Sequence, residues 1–422
     1  MKTNGFLAMV LVLAGALAFA AAPTVSNVRF TPVGTGRTVK IEYDYRGDAG
    51  IVTMDVQTNT LANGTGDWVS IGIDNFAEMV GGDMFCYTAG AAETETRSLF
   101  WRPHMGFPNQ NLPSGATRVT VTAWATNAPP TWLVIPMDGV SKKRYYVDKV
   151  PGDITDRRYK VDNLVMRKVP AAGVTFRMGK SGYIPYSTVS FTADYYLAVY
   201  EFTKGQMSKA SLPDRNYSVA DEDAVLPYSG YTHIALRGSS SGYFYTSTNP
   251  AKSGNNVGAG SYIDTLRNKY HMLFDLPSRA EWEYAGRAGI PPETFSKAWL
   301  LERAWVWDNC EGVVQPVGLK MSNNWGFYDM IGNLVEVTLD IEGGSYDGVT
   351  DPHGKVFNDG TDRVSQLMWY CGYGCNRTYD YYGAEYSLRS DTYSGYGVSG
   401  GGQNNGHGPH GLRLWAAAVV CD

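Results

Sequence analysis

Two cysteines, Cys371 and Cys375, stand four residues apart in the stretch WYCGYGC, within a chain of 422 residues that has only 5 cysteines. Such a pair can act as a catalytic dithiol, close a local disulfide, or remain two unrelated thiols. A disulfide needs Cα atoms within about 7 Å, and the glycines on both sides of Tyr373 make that turn feasible. An oxidising compartment favours it. A second group of chemically capable residues lies in GFYDMIGNLVEV, where Asp329 and Glu336 flank a Gly332-Asn333 turn. Two carboxylates and intervening main-chain carbonyls can wrap a hard, oxygen-seeking cation, calcium above all. The alternative is a surface turn whose acids are only solvated. His407 and His410 lie in a Gly/Pro loop with no third ligand nearby, so they read as loop residues. Asp308 and Glu311 beside Cys310 argue against a thiolate nucleophile there, and Cys310 and Cys86 read as structural. No Ser-His-Asp grouping can be defended from spacing.

The third capable stretch is a surface rather than a centre. Between Tyr370 and Gly397 only Leu388 comes from the set Leu, Ile, Val, Met and Phe. Such a segment cannot bury a core face. Tyrosine offers wide amphipathic contact at low rotamer cost, and small polar residues adapt around it. Tyr370, Tyr373, Arg377 and Tyr379 form the first half of this candidate binding surface, and Tyr381, Tyr382, Tyr386 and Tyr393 the second. A protein or a glycan would suit it, and a merely solvated loop is the competing reading.

Elements of secondary structure must hold these groups in place. From Pro23 to about Thr131 the segments VSNVRF, RTVKIEYDY, GIVTMDVQTN, DWVSIGI, TRSLFW and TRVTVTAWATN alternate or are β-branched between turn signals. That predicts an antiparallel, immunoglobulin-like or fibronectin-like sandwich over 21–137. A proline pair followed by a polar stretch predicts a linker at 138–163, and a second domain over 164–422. In the second domain two capping boxes predict helix starts at Thr203 with Gln206 and at Ser278 with Glu281. The second helix should end near Gly289 with Trp282 and Ala285 on one side.

Composition bounds the class. The net charge is −5, with no basic cluster, so nothing in the chain draws it to a nucleic-acid backbone. The 48 glycines, 29 tyrosines and 11 tryptophans suit a loop-rich fold pinned by large amphipathic side chains. Residues 1–20 carry one lysine, an apolar run and an Ala18-Phe19-Ala20 ending, which is the pattern of a secretory signal peptide. The protein is therefore expected in the periplasm, at the cell surface or secreted, with no transmembrane segment after cleavage.

In order along the second domain, VTFRMG with YLAVYEFTKGQ, FDLPSRAEWEYAGRAG, AWVWDN, NNWGFYDMIGNLVEV and HGLRLW resemble the formylglycine-generating enzyme, or sulfatase-modifying factor, family. The resemblance implies a mixed α/β, loop-rich, C-type-lectin-like fold. It also implies a structural calcium held by the side chains of Asp329 and Glu336 and the carbonyls of Gly332 and Leu334. Oxidase members of the family convert a sulfatase cysteine to formylglycine with O₂ and a copper(I) ion held by two thiolates, soft ligands that suit that ion. Cys371 and Cys375 follow Arg363-Val364 where that pair would stand.

Three departures weigh against the oxidase. The cysteines are one residue closer than in the family, a shift of about 3.3 Å in extended chain. Leu367-Met368-Trp369 replaces the family's Gly-Gly-Ser, and Val335 and Val337 replace two tryptophans, one of which lines the oxygen site. The favoured reading is a non-oxidase binding module, with the copper oxidase as the alternative. The chain is also similar to the variable proteins of diversity-generating retroelements, which end in a Tyr/Asn/Ser/Asp/Gly-rich segment before a closing strand like Gly411-Leu412-Arg413-Leu414.

Overall fold

The computed structural model describes residues 21–34, 37–108, 112–113, 115–138, 143–180, 184–212, 219–229, 233–237, 257–290, 297–341, 347–352, 368–371 and 410–418. The expected signal peptide, the glycine and tyrosine run after Cys371, and Cys421 lie outside them.

The first region is built from β1 (Thr24–Val33), β2 (Thr38–Gly47), β3 (Gly50–Asn59), β4 (Trp68–Ser70), β5 (Met79–Val80), β6 (Tyr87–Thr88), β7 (Ala91–Trp101) and β8 (Thr117–Ala125), with a short helix α1 (Pro103–Gly106). One antiparallel sheet has the order β1-β2-β7-β5, and in the other β3 pairs with β4, β6 and β8. Strand β2 shows why: Val39, Ile41, Tyr43 and Tyr45 alternate inward while their neighbours stay partly exposed. They meet Val52, Met54 and Val56 of β3 and Leu99 and Trp101 of β7 in one core. Strand β3 is apolar on both faces at its start, and the second face has a separate use. Ile51 packs with Leu133, Ile135, Leu164 and Met166 in a different core, against which Tyr87 and Trp124 also lie.

That second core underlies a six-stranded sheet of β9 (Trp132–Pro136), β10 (Tyr145–Val147), β11 (Asn163–Val169), β14 (Tyr195–Ala198), β15 (Phe274–Asp275) and β20 (Trp415–Ala417), in the order β10-β9-β11-β14-β20-β15. Strands β12 (Thr175–Lys180), β13 (Ile184–Ser190) and β17 (Val349–Thr350) form a side sheet, and β16 (Val335–Ile341), β18 (Met368–Cys371) and β19 (His410–Gly411) form another. The helices are α2 (Arg158–Val161), α3 (Lys204–Ala210), α4 (His233–Arg237), α5 (Tyr262–Tyr270), α6 (Arg279–Arg287), α7 (Lys297–Arg303) and α8 (Trp307–Cys310). Residues 138–163, read from the sequence as a linker, carry β10 and α2, and β9 just before them is hydrogen-bonded to β11. The runs WLVIP and YYV are too apolar to stay in solvent, and sheet edges give them a place. The result is a β-sheet region followed by a mixed α/β domain, with Ile51 of the first region packed into the core of the second.

Both predicted capping boxes form. Thr203 Oγ1 accepts from the Gln206 amide at 3.1 Å and Gln206 Oε1 accepts from the Thr203 amide at 3.1 Å. Ser278 and Glu281 do the same at 3.3 and 2.7 Å. Helix α6 ends at Arg287, with Ala288 and Gly289 both at positive φ, and buries Trp282 and Ala285 fully.

Candidate functional site

Strand β16 organises the residues that the sequence singled out. On one edge it pairs antiparallel with β18, placing Glu336 opposite Cys371 and Val337 opposite Tyr370. On the other edge it pairs parallel with β19, placing Glu336 opposite Gly411 and Val335 opposite His410. Cys371 and Gly411, the described residues before and after the tyrosine-rich segment, therefore lie on the two sides of a single residue. Two strand spacings of about 4.8 Å separate them. Of the predicted binding residues, Tyr370 is placed by its backbone. Tyr373, Arg377, Tyr379, Tyr381, Tyr382, Tyr386 and Tyr393 lie outside the described residues, as do Cys375 and His407. Cys371 and His410 are placed by backbone alone, so the copper and disulfide readings of the thiol pair fall outside the described residues too.

The mount itself is held by a buried polar network. Arg413, directly before β20, is fully buried and spends all of its N–H donors. Nη1 donates to the carbonyls of Ala198 at 3.0 Å and Val199 at 2.9 Å. Nη2 donates to Tyr328 O at 2.9 Å, to Glu336 Oε1 at 2.6 Å and, more weakly, to Asp329 O at 3.4 Å. Nε lies 3.0 and 2.9 Å from the two Glu336 oxygens. Trp282 of α6 adds its indole N–H to Glu336 Oε2 at 2.5 Å. One bidentate, charge-assisted pair thus ties β14, β16, β20, the 328–329 turn and α6 together.

The turn between Asp329 and Glu336 is shaped by backbone in the left-handed region: Asp329 has φ +53°, Gly332 +81° and Asn333 +57°. Gly332 forms a parallel bridge with Trp305, and any Cβ on it would collide with the Trp305 carbonyl. Asn333 donates to Glu201 Oε2 at 2.8 Å and to Gln315 O at 3.0 Å, and the Leu334 amide donates to Glu201 Oε1 at 3.0 Å. Asp329 Oδ2 accepts from the Gly318 amide at 2.6 Å, while Oδ1 is buried with no hydrogen-bond partner among the described residues.

Three buried carboxylates around one guanidinium leave an excess of negative charge. Burial, with repulsion from Asp329 and Glu336, pushes the Glu201 carboxyl well above the usual carboxylate range. Burial pushes Asp329 up to about 6, against the stabilising Gly318 amide and the Arg413 charge. Burial works against the charge on Arg413, yet Glu336, Glu201 and Asp329 together hold its pKa above the ordinary value. Burial lowers the pKa of Lys160, whose charge acts on Asp329 and whose ammonium reaches Gly318 O at 3.4 Å.

Of the expected calcium donors, the side chains of Asp329 and Glu336 share one buried cluster, and that of Glu336 is already engaged. Both oxygens of Glu336 face Arg413 or Trp282, and the backbone of the 328–329 turn faces the same guanidinium. Among the described residues no three His, Cys, Asp or Glu side chains form a metal-holding group. Glu201, Asn333, Glu336 and Arg413 are each at most 1% exposed, so the network is an interior one that positions strands. Two of its members were not picked out by residue type and spacing: Glu201, an acid closing the apolar run YLAVYE, and Arg413 in the run LRLW. A lone charge inside an apolar run is the signal that marks them both. Elsewhere, Cys86 is half-buried, with its thiol directed at Arg144 O at 3.4 Å and its pKa raised by burial. Cys310 is buried.

Compared with known proteins, residues 157–390 match the family model of the sulfatase-modifying factor enzyme 1-like domain. No curated protein sequence matches the chain. Among solved structures, variable protein 1 of Treponema denticola aligns with 18% identity and a TM-score of 0.44, over 60% of this chain and 95% of that one. PvdO from Pseudomonas aeruginosa aligns with 16% identity and a TM-score of 0.42, over 60% and 94%. CarF aligns with 16% identity and a TM-score of 0.33, over 60% and 97%.

Proposed function

The chain belongs to the sulfatase-modifying factor enzyme 1-like family, and from that membership we propose that it is an exported, non-oxidase binding module that recognises a protein or a glycan through its C-terminal tyrosine-rich segment. The observation that carries this reading is the mount: Cys371 and Gly411, at the two ends of the segment, are registered on opposite sides of Glu336. The described residues on either side of the segment thus bring its two ends to neighbouring strands of one sheet. Its composition suits contact rather than packing. The replacement of the family's Gly-Gly-Ser and of both tryptophans, including the one that lines the oxygen site, supports a role other than oxidation. In this reading the N-terminal sandwich is an immunoglobulin-like module that carries the binding domain, and the leader-like first twenty residues direct export.

The test uses the full chain lacking residues 1–20 on a glycan array and on an array of exported proteins. Replacing Tyr373, Tyr381 and Tyr382 together with alanine should abolish retention while leaving the melting temperature nearly unchanged. A large drop in melting temperature would show that those rings are core residues and would sink the proposal. So would formylglycine formation on a CxPxR peptide by the reduced, copper-loaded protein, if a Cys375→Ser variant loses it.

A further inference from the structure

We propose that Arg413 is the resident cation of the GFYDMIGNLVEV turn: its guanidinium stands where a divalent ion would stand, and this part of the fold assembles without metal. Calcium needs 6–8 oxygen ligands at about 2.3–2.6 Å. The turn's best carboxylate, Glu336, already has guanidinium nitrogens within 2.6 to 3.0 Å and the Trp282 indole N–H on Oε2. A second cation against the same oxygens would sit beside a full positive charge in a buried setting, where that repulsion is poorly screened.

Arg413 is not free to step aside. Its other donors close on Ala198 O, Val199 O and Tyr328 O, all at 3.0 Å or less. Moving it would leave a guanidinium with no partner inside the protein, a far larger cost than leaving a surface arginine unpaired. Two carbonyls at the start of the turn, Tyr328 O and Asp329 O, also accept from Arg413. Asp329 itself commits Oδ2 to the Gly318 amide, which leaves one free oxygen, Oδ1, for any ion. A planar fork with five donors matches this arrangement of one carboxylate and several carbonyls better than a spherical ion does.

The test is thermal unfolding of the full chain in excess calcium chloride and in excess chelator, alongside titration calorimetry with calcium chloride alone. The expected result is the same melting temperature in both solutions. An Arg413→Met variant should melt far lower, with no recovery on adding calcium, and Arg413→Lys should recover only part of the loss because it keeps the charge without the fork. A melting temperature that rises with calcium in the native chain, and no longer rises in Glu336→Gln, would overturn the assignment. A rise that persists in Glu336→Gln would place the ion elsewhere and leave Arg413 in its role. If Arg413→Met does not fold at all, the native chain and Glu336→Gln still decide the question.

Discussion

Asp329 and Glu201 share a buried space in which neither is comfortable as an anion. Burial raises Asp329 to about 6, and burial together with Asp329 and Glu336 holds Glu201 well above the usual carboxylate range. Glu336, Glu201, Arg413 and Lys160 are the charged groups that face Asp329. In the unfolded chain a carboxylic acid titrates near about 4. The folded state therefore binds more protons than the unfolded state between about pH 4 and pH 6. For a raised carboxyl pKa the linked stability is fully present below the unfolded value and is lost as pH rises through the folded one. Urea unfolding should show stability falling by an amount on the order of a few kcal/mol across that window. Asp329→Asn should flatten the fall. A slope unchanged by the substitution would mean that other groups carry it. Asp329 and Glu336 were legible in the sequence as a pair of acids, since spacing around a glycine turn is local information. The partner of Glu336 was not, because Arg413 is 77 residues away along the chain.

At the scale of elements, strand β16 owes its place to the turn before it. Gly332 combines a φ of +81° with backbone contact against Trp305, so alanine there meets both a conformational cost and a collision. Gly173 has a similar φ of +76° but open space around it, so Gly173→Ala isolates the conformational part. Gly332→Ala should cost about 2 kcal/mol or more beyond Gly173→Ala in chemical unfolding. Equal costs would show that the Trp305 bridge gives way easily. The helices were legible because a capping box is a four-residue signal, and α3 and α6 start where Thr203 and Ser278 predict. The long strands of the first region were legible because alternation marks a half-buried face, as in β2. Short strands such as β15 and β20 were not, because two or three residues carry no period; tertiary pairing alone makes them strands.

For the molecule as a whole, the family match begins at residue 157, but the sheet that supports it begins at Trp132. Strand β9 covers the edge of β11, and Ile51 of β3 fills part of the core beneath them. Cutting the chain at the family boundary would leave β11 with an unpaired edge, which invites aggregation. A chain beginning at Ala128 should unfold cooperatively, though at a lower temperature than the full chain because it lacks Ile51, Tyr87 and Trp124. A chain beginning at residue 157 should fail to give a cooperative transition. If both truncations melt alike, β9 and β10 are dispensable and the two regions are independent. No described helix is long and apolar enough to cross a membrane.

By itself the sequence determined the class of each half, the two capped helices, the long alternating strands and the composition of the terminal segment. All of these follow from interactions within a few residues, and the ordered blocks of the second half further identified the family. Only the tertiary structure decided that Glu336 faces an arginine, that the region before the family domain lends strands to its sheet, and that Cys371 and Gly411, on either side of the tyrosine-rich segment, pair with one strand. Those outcomes depend on which distant groups come to lie side by side in a low-dielectric interior, and no local pattern encodes that.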